Sequence, residues 1–369
     1  MPEPLLAPSR RIRTTPFTRR VEAAGVRAYS VYNHMLLPAV FESQAADAAH
    51  LKAHVQVWDV SCQRQVELSG PHAHALLQRA TPRDLARMEA GRCRYLPMVD
   101  ERGGMLNDPV ALKLAAERYW VSVADSDLLF WLKGLANGLG LDVRVDEPAV
   151  YPLAVQGPKA DTLAARVFGE EVRAIRFFRY AWLPFRDREL LVARSGYSKQ
   201  GGFEIYLDVP ELAEPLWDAL MDAGADLTVR AGGPNTLERI EGGLLSYGND
   251  MTRANTPAEC GLDRLYDPQT AVSCIGIDAL RREAETGPRQ RVRGLRIDGG
   301  PAPACRDRWP ATAHGAHVGG VTSVACSPER GTNVAIGMLD RDHWAPGTAV
   351  EVAAPDGPRP ATVVSLPHT

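Results

Sequence analysis

The stretch ARSGYSKQGGFEIYLDV, residues 193–209, decides how the chain is to be read. After Gly201 and Gly202 it runs Phe203, Glu204, Ile205, Tyr206, Leu207, Asp208. Successive strand side chains point to opposite faces. Phe203, Ile205 and Leu207 therefore share one apolar face, and Glu204 and Tyr206 share the other. The preceding LLVARSGY run can pair back across SKQGG to form a hairpin. Taken alone, this is an amphipathic strand with a wet polar face. The rest of the chain decides whether the face bearing Glu204 looks at solvent or at a ligand.

The chain has 369 residues, 45% hydrophobic and 24% charged. That is a soluble globular composition, long enough for two or three domains. A net charge of −3 gives no electrostatic case for nucleic acid or an anionic membrane as partner. No apolar run is long enough to span a bilayer. The start, MPEPLLAPSRRIR, lacks the n-region and h-region of a secretory signal. Arg10, Arg11 and Arg13 there read as a solvated tail. Cys62, Cys93, Cys260, Cys274, Cys305 and Cys326 form no CxxC pair. They read as reduced, mostly buried thiols, and a cytoplasmic location is expected. His50 and His54 are four apart and His72 and His74 two apart, with no third ligand or HExxH glutamate, so no metal site is expected. Neither GxxxxGK[ST] nor a strand-linked GxGxxG occurs, which removes the best evidence for a nucleotide fold.

Strand, Gly-Pro, helix occurs twice: RQVELSG before PHAHALLQRA, and YPLAVQG before PKADTLAARVFG, which closes on Gly169. Two matches hint at two related α+β lobes. Further strands are expected at PVALKLAA, RYWVSVAD, LLVARSGY and GFEIYLDV. PELAEPLWDALMDAGA reads as a helix ending near Gly224. NTLERIEGGLLSYG reads as another, with Asn235 or Thr236 as N-cap. From about Gly287 proline and glycine become dense, and RVRGLRIDG, VAIGMLD, TAVEVAA and ATVVSLP suggest a small β-barrel or sandwich. The boundary is placed near 285.

Five motifs, in order, carry a family resemblance. VWDVSCQRQVELSGPHA, VDERGGMLNDPVAL, GYSKQGGFEIY, NTLERIEGGLLSYGND and VGGVTSVACSPERGTNVAIGML resemble corresponding segments of the aminomethyltransferase (glycine-cleavage T-protein) superfamily. The resemblance implies an α+β fold: a three-domain cloverleaf around a central folate cavity, with two ferredoxin-like α+β lobes and a C-terminal β-barrel. It implies a folate-binding catalytic region over 1–285, its lobes interleaved as about 1–55 with 146–285, and 56–145, followed by a barrel over 286–369. It places Glu204 at the carboxylate that binds the pterin of tetrahydrofolate, with Tyr206 sharing that cavity and Arg239 near the folate tail. An ionised carboxylate can accept from two adjacent ring N–H groups and so fix the ring. Arg239 could equally form a helix-surface ion pair with Glu238 or Glu241. Tyr247 and Asp250 are expected to close the cavity structurally.

The superfamily's reactive turn carries two aspartates, whereas this chain reads Asn107–Asp108. Asparagine cannot act as a base, which disfavours aminomethyl chemistry. The Asn-Asp turn, SRRIRTTPFTRRVEAAGVRAYSVYNHMLLP, GRCRYLPMVDERGGMLNDPVALKL and VSVADSD are similar to the branch of dimethylsulfoniopropionate demethylases. The resemblance implies methyl transfer from a sulfonium acid to tetrahydrofolate, giving a methylthio acid and 5-methyltetrahydrofolate. Asn107 and Asp108 are then the catalytic candidates. A sulfonium is already an activated donor with a neutral leaving group, so alignment can contribute roughly 7–11 kcal/mol. The donor's cation favours aromatic faces, at about 0.5–2 kcal/mol each, and its carboxylate favours hydroxyl or basic donors. Tyr32, Trp120, Ser122, Tyr197 and Tyr206 are the substrate-binding candidates. For Trp120 and Tyr32, core packing is the competing reading. The branch has tryptophan at the position of Tyr197 and tyrosine at that of Phe203, so another onium donor, such as an N-methyl betaine, is an alternative. Glycine-cleavage aminomethyl transfer and a non-catalytic folate-binding module are the others. The expected partner is a small sulfonium or quaternary ammonium acid, and a homodimer is compatible with the resemblance.

Overall fold

The computed structural model describes residues 9–270 and 272–368. The reading of residues 1–8 as part of a chain start without a signal lies outside the described residues. The chain divides into two compact units. One comprises residues to Gln65, Pro148–Gly196 and Gln200–Pro234; the other comprises Val66–Glu147, Tyr197–Lys199 and Asn235 onward.

The first unit is built on a six-stranded sheet in the order Tyr180–Phe185, Arg188–Ala193, Gly202–Leu207, Tyr151–Gln156, Val55–Asp59, Val229–Gly232. All neighbours are antiparallel except the last pair. Alternation sends Phe203, Ile205 and Leu207 into one core with Val55, Val57, Leu153, Val155, Leu190 and Val192. Helices Ala160–Phe168 and Ala213–Ala223 cover that face through Leu163, Ala164, Leu216 and Leu220. They end at Gly169 and Gly224, as the sequence reading placed them. A separate hairpin pairs Ala28–Tyr32 with Met35–Val40. Its turn is Asn33–His34, both at positive φ (51° and 60°), the geometry that matches strand twist in two-residue hairpins.

The expected hairpin around the opening stretch forms, but its connection is longer than SKQGG. Pairing runs only from Leu191↔Tyr206 to Ala193↔Glu204. The Gln156 side chain wedges between the two arms and donates to Ser195 O at 3.1 Å. A Cβ at Gly196 or Gly202 would collide with that amide, so both positions require glycine.

The second unit contains a five-stranded sheet ordered Arg144–Asp146, Gln65–Ser69, Arg118–Ser122, Val110–Ala115, Cys93–Tyr95. Helices Ala73–Ala80 and Leu128–Gly138 pack on it around Leu68, Leu76, Leu77, Tyr119, Val121 and Leu132. The twice-read strand, Gly-Pro, helix pattern has a structural counterpart. Gly70 and Gly157 both take φ +126°, each with its Cβ position against a neighbouring backbone carbonyl.

The C-terminal strands close into a barrel: Gln290–Ile297, Thr332–Asp340, Ala316–Ser327, Trp309–Ala313, Ala349–Ala354, Gly357–Val364. The fold is thus mixed α/β with a closed six-stranded C-terminal barrel. The helix read over NTLERIEGGLLSYG is shorter than expected. Asn235 caps it, accepting from Glu238 N at 3.1 Å, and it stops at Glu241 before Gly242–Gly243. The chain then folds back around Asp250, which accepts from Ser246 N.

Arg239 ties that helix to the barrel. Its guanidinium donates to Asp250 at 2.8 Å, to Ser323 Oγ at 2.7 Å and to Leu244 O at 3.3 Å. The ion-pair partner is therefore Asp250, rather than Glu238 or Glu241, and the pair is buried (side chains 9% and 0% exposed). Removing one member strands the other charge out of water. Asp250→Ala should lower unfolding free energy by about 3–5 kcal/mol in denaturant titrations; a loss below about 1 kcal/mol would show that the pair does not hold this segment.

Candidate active site

In the first unit, the strand Gly202–Leu207 is buried along its whole length. Glu204 is not on a wet face: it is 5% exposed, and Tyr206 is fully buried. Glu204 stands opposite Ala154 on one neighbouring strand and Ala193 on the other. Ser195 Oγ donates to Glu204 Oε2 at 2.5 Å. Desolvation pushes the carboxyl pKa above its ordinary value, and the Ser195 hydroxyl only partly offsets this. A buried carboxylate held by a neutral hydroxyl, with no cation paired to it among the described residues, suits a ligand bearing adjacent N–H donors. The expected pterin fits this donor–acceptor pattern. Phe203 lies on the opposite face, in the core, with Arg194 4.9 Å above its ring. Its departure from the demethylase branch leaves the Glu204 face untouched.

In the second unit, the strand register aligns Tyr95, Val110 and Ser122 in one row. Tyr95 OH donates to Asp108 Oδ2 at 2.8 Å. The other oxygen, Oδ1, is sealed from solvent and has no hydrogen-bond partner among the described residues. Burial raises the Asp108 pKa to about 7; the Tyr95 hydrogen bond opposes the shift and the charge on Asp250 adds to it. The Tyr95 phenol is pushed well above its ordinary value by burial and by Asp108. Tyr197 joins this group, within electrostatic reach of Arg239, Asp250 and Asp108. Its hydroxyl donates to Leu245 O at 2.7 Å, which leaves the ring, not the hydroxyl, for a ligand. Tyr247 donates to Met105 O at 3.0 Å, bracing the strand that leads into the Asn-Asp turn.

The remaining candidates divide. Asn107 is fully buried, and its amide is used within the fold. It donates to Ala124 O and Ser126 Oγ and accepts from Ala124 N. With both N–H groups committed, it has no donor left for a substrate. The Arg239 guanidinium is likewise committed internally. Trp120 is 2% exposed, in keeping with the packing alternative, and its indole N–H donates to Glu67 while Arg118 lies 5.9 Å over its ring. A cation of the chain's own already occupies that platform. Ser122 is buried two residues along the same strand. Tyr32 is half-buried at the hairpin turn, beside Asn33, which donates to Cys62 O.

Sequence reasoning did not single out Ser195, Gln156 or Tyr95. Ser195 lies two residues from Tyr197 in the opening stretch and Tyr95 lies within a quoted motif. Their partners, however, are set by cross-strand register, which the linear sequence does not display.

Residues 17–269 match the GCVT N-terminal domain family, and residues 290–369 match the glycine cleavage T-protein C-terminal barrel domain. A dimethylsulfoniopropionate demethylase from Ruegeria pomeroyi is 61% identical over 356 residues, covering 96% of this chain and 97% of that protein. An aminomethyltransferase from Streptomyces avermitilis is 31% identical, covering 90% and 91%. The crystal structure of the glycine cleavage system aminomethyltransferase T from Bartonella henselae aligns with a TM-score of 0.84 at 26% identity, covering 97% of this chain and 98% of that one. With both domain matches in order and relatives aligned nearly end to end, the chain belongs to the glycine cleavage T-protein family.

Proposed function

We propose that the protein is a tetrahydrofolate-dependent methyltransferase that demethylates a sulfonium acid of the dimethylsulfoniopropionate type. The observation that carries this reading is the 61% identity to a dimethylsulfoniopropionate demethylase along nearly the whole of both chains. The buried carboxylate of Glu204 and the sealed Oδ1 of Asp108 support it chemically. Tetrahydrofolate supplies the accepting nitrogen, and the sulfonium supplies the methyl group. The S–CH3 bond breaks with its electron pair passing to sulfur, an N–CH3 bond forms, and the nitrogen's proton is released. One positive charge is consumed as sulfonium and one appears as a proton.

Glu204 takes the pterin N–H groups, with Ser195 fixing the carboxylate's orientation. Tyr206, one strand period along, lines the same face. Asp108 is the counter-charge for the sulfonium. Its uncommitted Oδ1 is the oxygen that would meet the cation, while Tyr95 fixes Oδ2. The ring of Tyr197 and the hydroxyl of Ser122 serve the cation and the donor's carboxylate respectively. Asn107 acts through Asp108 by holding the turn.

Purified protein with tetrahydrofolate and dimethylsulfoniopropionate should form 5-methyltetrahydrofolate and a methylthio acid in equal amounts. Absence of methylated folate with that donor, alongside turnover of a quaternary ammonium acid, would transfer the activity to the betaine class; no methylated folate with either would end the methyltransferase reading. The Asp108 pKa of about 7 fixes the sign of a pH effect. Below it the carboxyl is protonated, and binding a cation must expel that proton. The KM for the sulfonium should therefore fall roughly tenfold from about pH 6 to about pH 8, and Asp108→Asn should flatten the profile. A pH-independent KM in the wild type would remove Asp108 from the cation site.

A further inference from the structure

Glu204 belongs to a group of three buried polar side chains in the first unit. Alternation along Tyr151–Gln156 puts Pro152, Ala154 and Gln156 on the face of the sheet that carries Glu204. Gln156, the last residue of its strand, is 1% exposed. Ser195 and Glu204 are each 5% exposed. Pairing between the hairpin arms stops at Ala193↔Glu204, one residue short of Ser195 along its arm. Beyond that rung the Gln156 amide links the arms. Its Nε2 donates to Ser195 O on one arm at 3.1 Å and to Phe203 O on the other at 3.4 Å. Gly196 and Gly202, at φ +153° and +146°, form the slot that admits the amide.

The outer side of the Ser195 arm is tied separately. Arg194 N donates to Arg179 O at 2.9 Å, and the Arg194 guanidinium donates to both oxygens of Asp161 at 2.7 Å. Ser195 N donates to Ala193 O at 3.0 Å in a tight turn. These contacts fix the residues up to Ser195, and the Gln156 amide then fixes the Ser195 carbonyl. A serine hydroxyl rotates about a single bond, so its aim depends on how firmly its backbone is held. Held this way, Ser195 Oγ meets Glu204 Oε2.

We infer that Gln156 is a positioning residue for the methyl transfer: by clamping Ser195 it sets the orientation in which Glu204 meets the pterin ring, the inference resting on the proposed role of Glu204. It acts through Ser195. Burial pushes the Glu204 pKa up and the Ser195 hydroxyl brings it down, with no charged side chain contributing among the described residues. Alternation puts Tyr206, Tyr180, Glu189 and Arg230 on the same face of the sheet, with Arg230 paired to Glu42 and Asp47. His50, from the helix Gln44–Ala53, hydrogen-bonds Gln56 on that face. The Ser195 hydroxyl is thus the group that favours the ionised carboxylate. Loosening it moves protonation of Glu204 to higher pH, and the ring N–H donors require the charged form. Folate affinity must then begin to fall at a higher pH.

Calorimetric titration of the full chain with tetrahydrofolate, from about pH 5 to about pH 8, tests the assignment. Gln156→Met keeps the side-chain length and loses the donor. It should weaken folate binding roughly tenfold and move the acid limb of the affinity profile upward by about half a pH unit or more. Ser195→Ala should do the same. Adding Gln156→Met to Ser195→Ala should cost less than about twofold further, because both act on one contact. Gln156→Asn keeps the amide on a chain one carbon shorter; it should fall between wild type and Gln156→Met, and it carries the test if the methionine variant does not fold. A folded Gln156 variant with wild-type affinity, or one whose loss is undiminished in the Ser195→Ala background, overturns the positioning role. So does a loss of affinity with an unmoved pH profile, which a purely structural contact would give. If Glu204→Gln weakens binding while the Gln156 variants do not, the role of Gln156 falls alone. If Glu204→Gln leaves affinity unchanged, the pterin assignment falls and the role of Gln156 with it.

Discussion

The central constraint on this molecule is a carboxylate that is kept dry without a cation. Glu204 is 5% exposed, and its hydrogen-bond partner among the described residues is the hydroxyl of Ser195. Burying a carboxylate without a counter-charge is costly, of the order of several kcal/mol. A fold under no functional demand would remove that cost by pairing or by substitution. The same chain shows the paired solution: Asp250, equally buried, is met by the Arg239 guanidinium and by hydroxyls of Thr322 and Ser323. Asp59 is a third case, buried and held by the hydroxyls of Thr15 and Ser61 and by the Ser61 N–H, so it is the position of Glu204 in the family motif that marks it for a ligand.

Asp108 belongs with Glu204 rather than with Asp250. One of its oxygens is fixed by Tyr95 and the other is sealed without a partner among the described residues; burial raises its pKa to about 7 against the Tyr95 hydrogen bond. A cationic substrate relieves that situation directly, because attraction to a positive charge favours the ionised form. Asn107 contributes in a different way. Its neutral amide can donate twice and accept once within a fully buried site, where a second aspartate would bring another uncompensated charge. The replacement that distinguishes this chain from the aminomethyltransferase pattern therefore makes structural sense for a reaction in which the donor is already charged and no base is needed for bond cleavage.

The parts of the fold governed by local periodicity were legible in the sequence. Phe203, Ile205 and Leu207 turn to the core because of period-two alternation, and Gly169 and Gly224 end helices as expected. Four barrel strands carried clear β patterns. The strands Trp309–Ala313 and Ala316–Ser327 did not, because glycine, alanine and serine there weaken the apolar pattern, and barrel closure rather than propensity orders them. The long helix expected after Asn235 stops early, since Gly242–Gly243 admits a reversal that the buried Arg239–Asp250 pair then holds. Of the candidate site, Glu204 and Asp108 were singled out by motif position. Commitments such as Asn107 to the 124–126 loop, Arg239 to the barrel and Trp120 to Glu67 depend on tertiary contacts that no spacing reveals.

The central claim is that Glu204 is the pterin's anchor, and folate affinity measures it most directly. Isothermal titration of Glu204→Gln with tetrahydrofolate should show affinity lowered by at least tenfold, with an unchanged thermal unfolding transition, because the amide keeps the shape but loses the charge that two ring N–H donors require. An affinity equal to that of the wild type, in a variant that remains folded, would contradict the account.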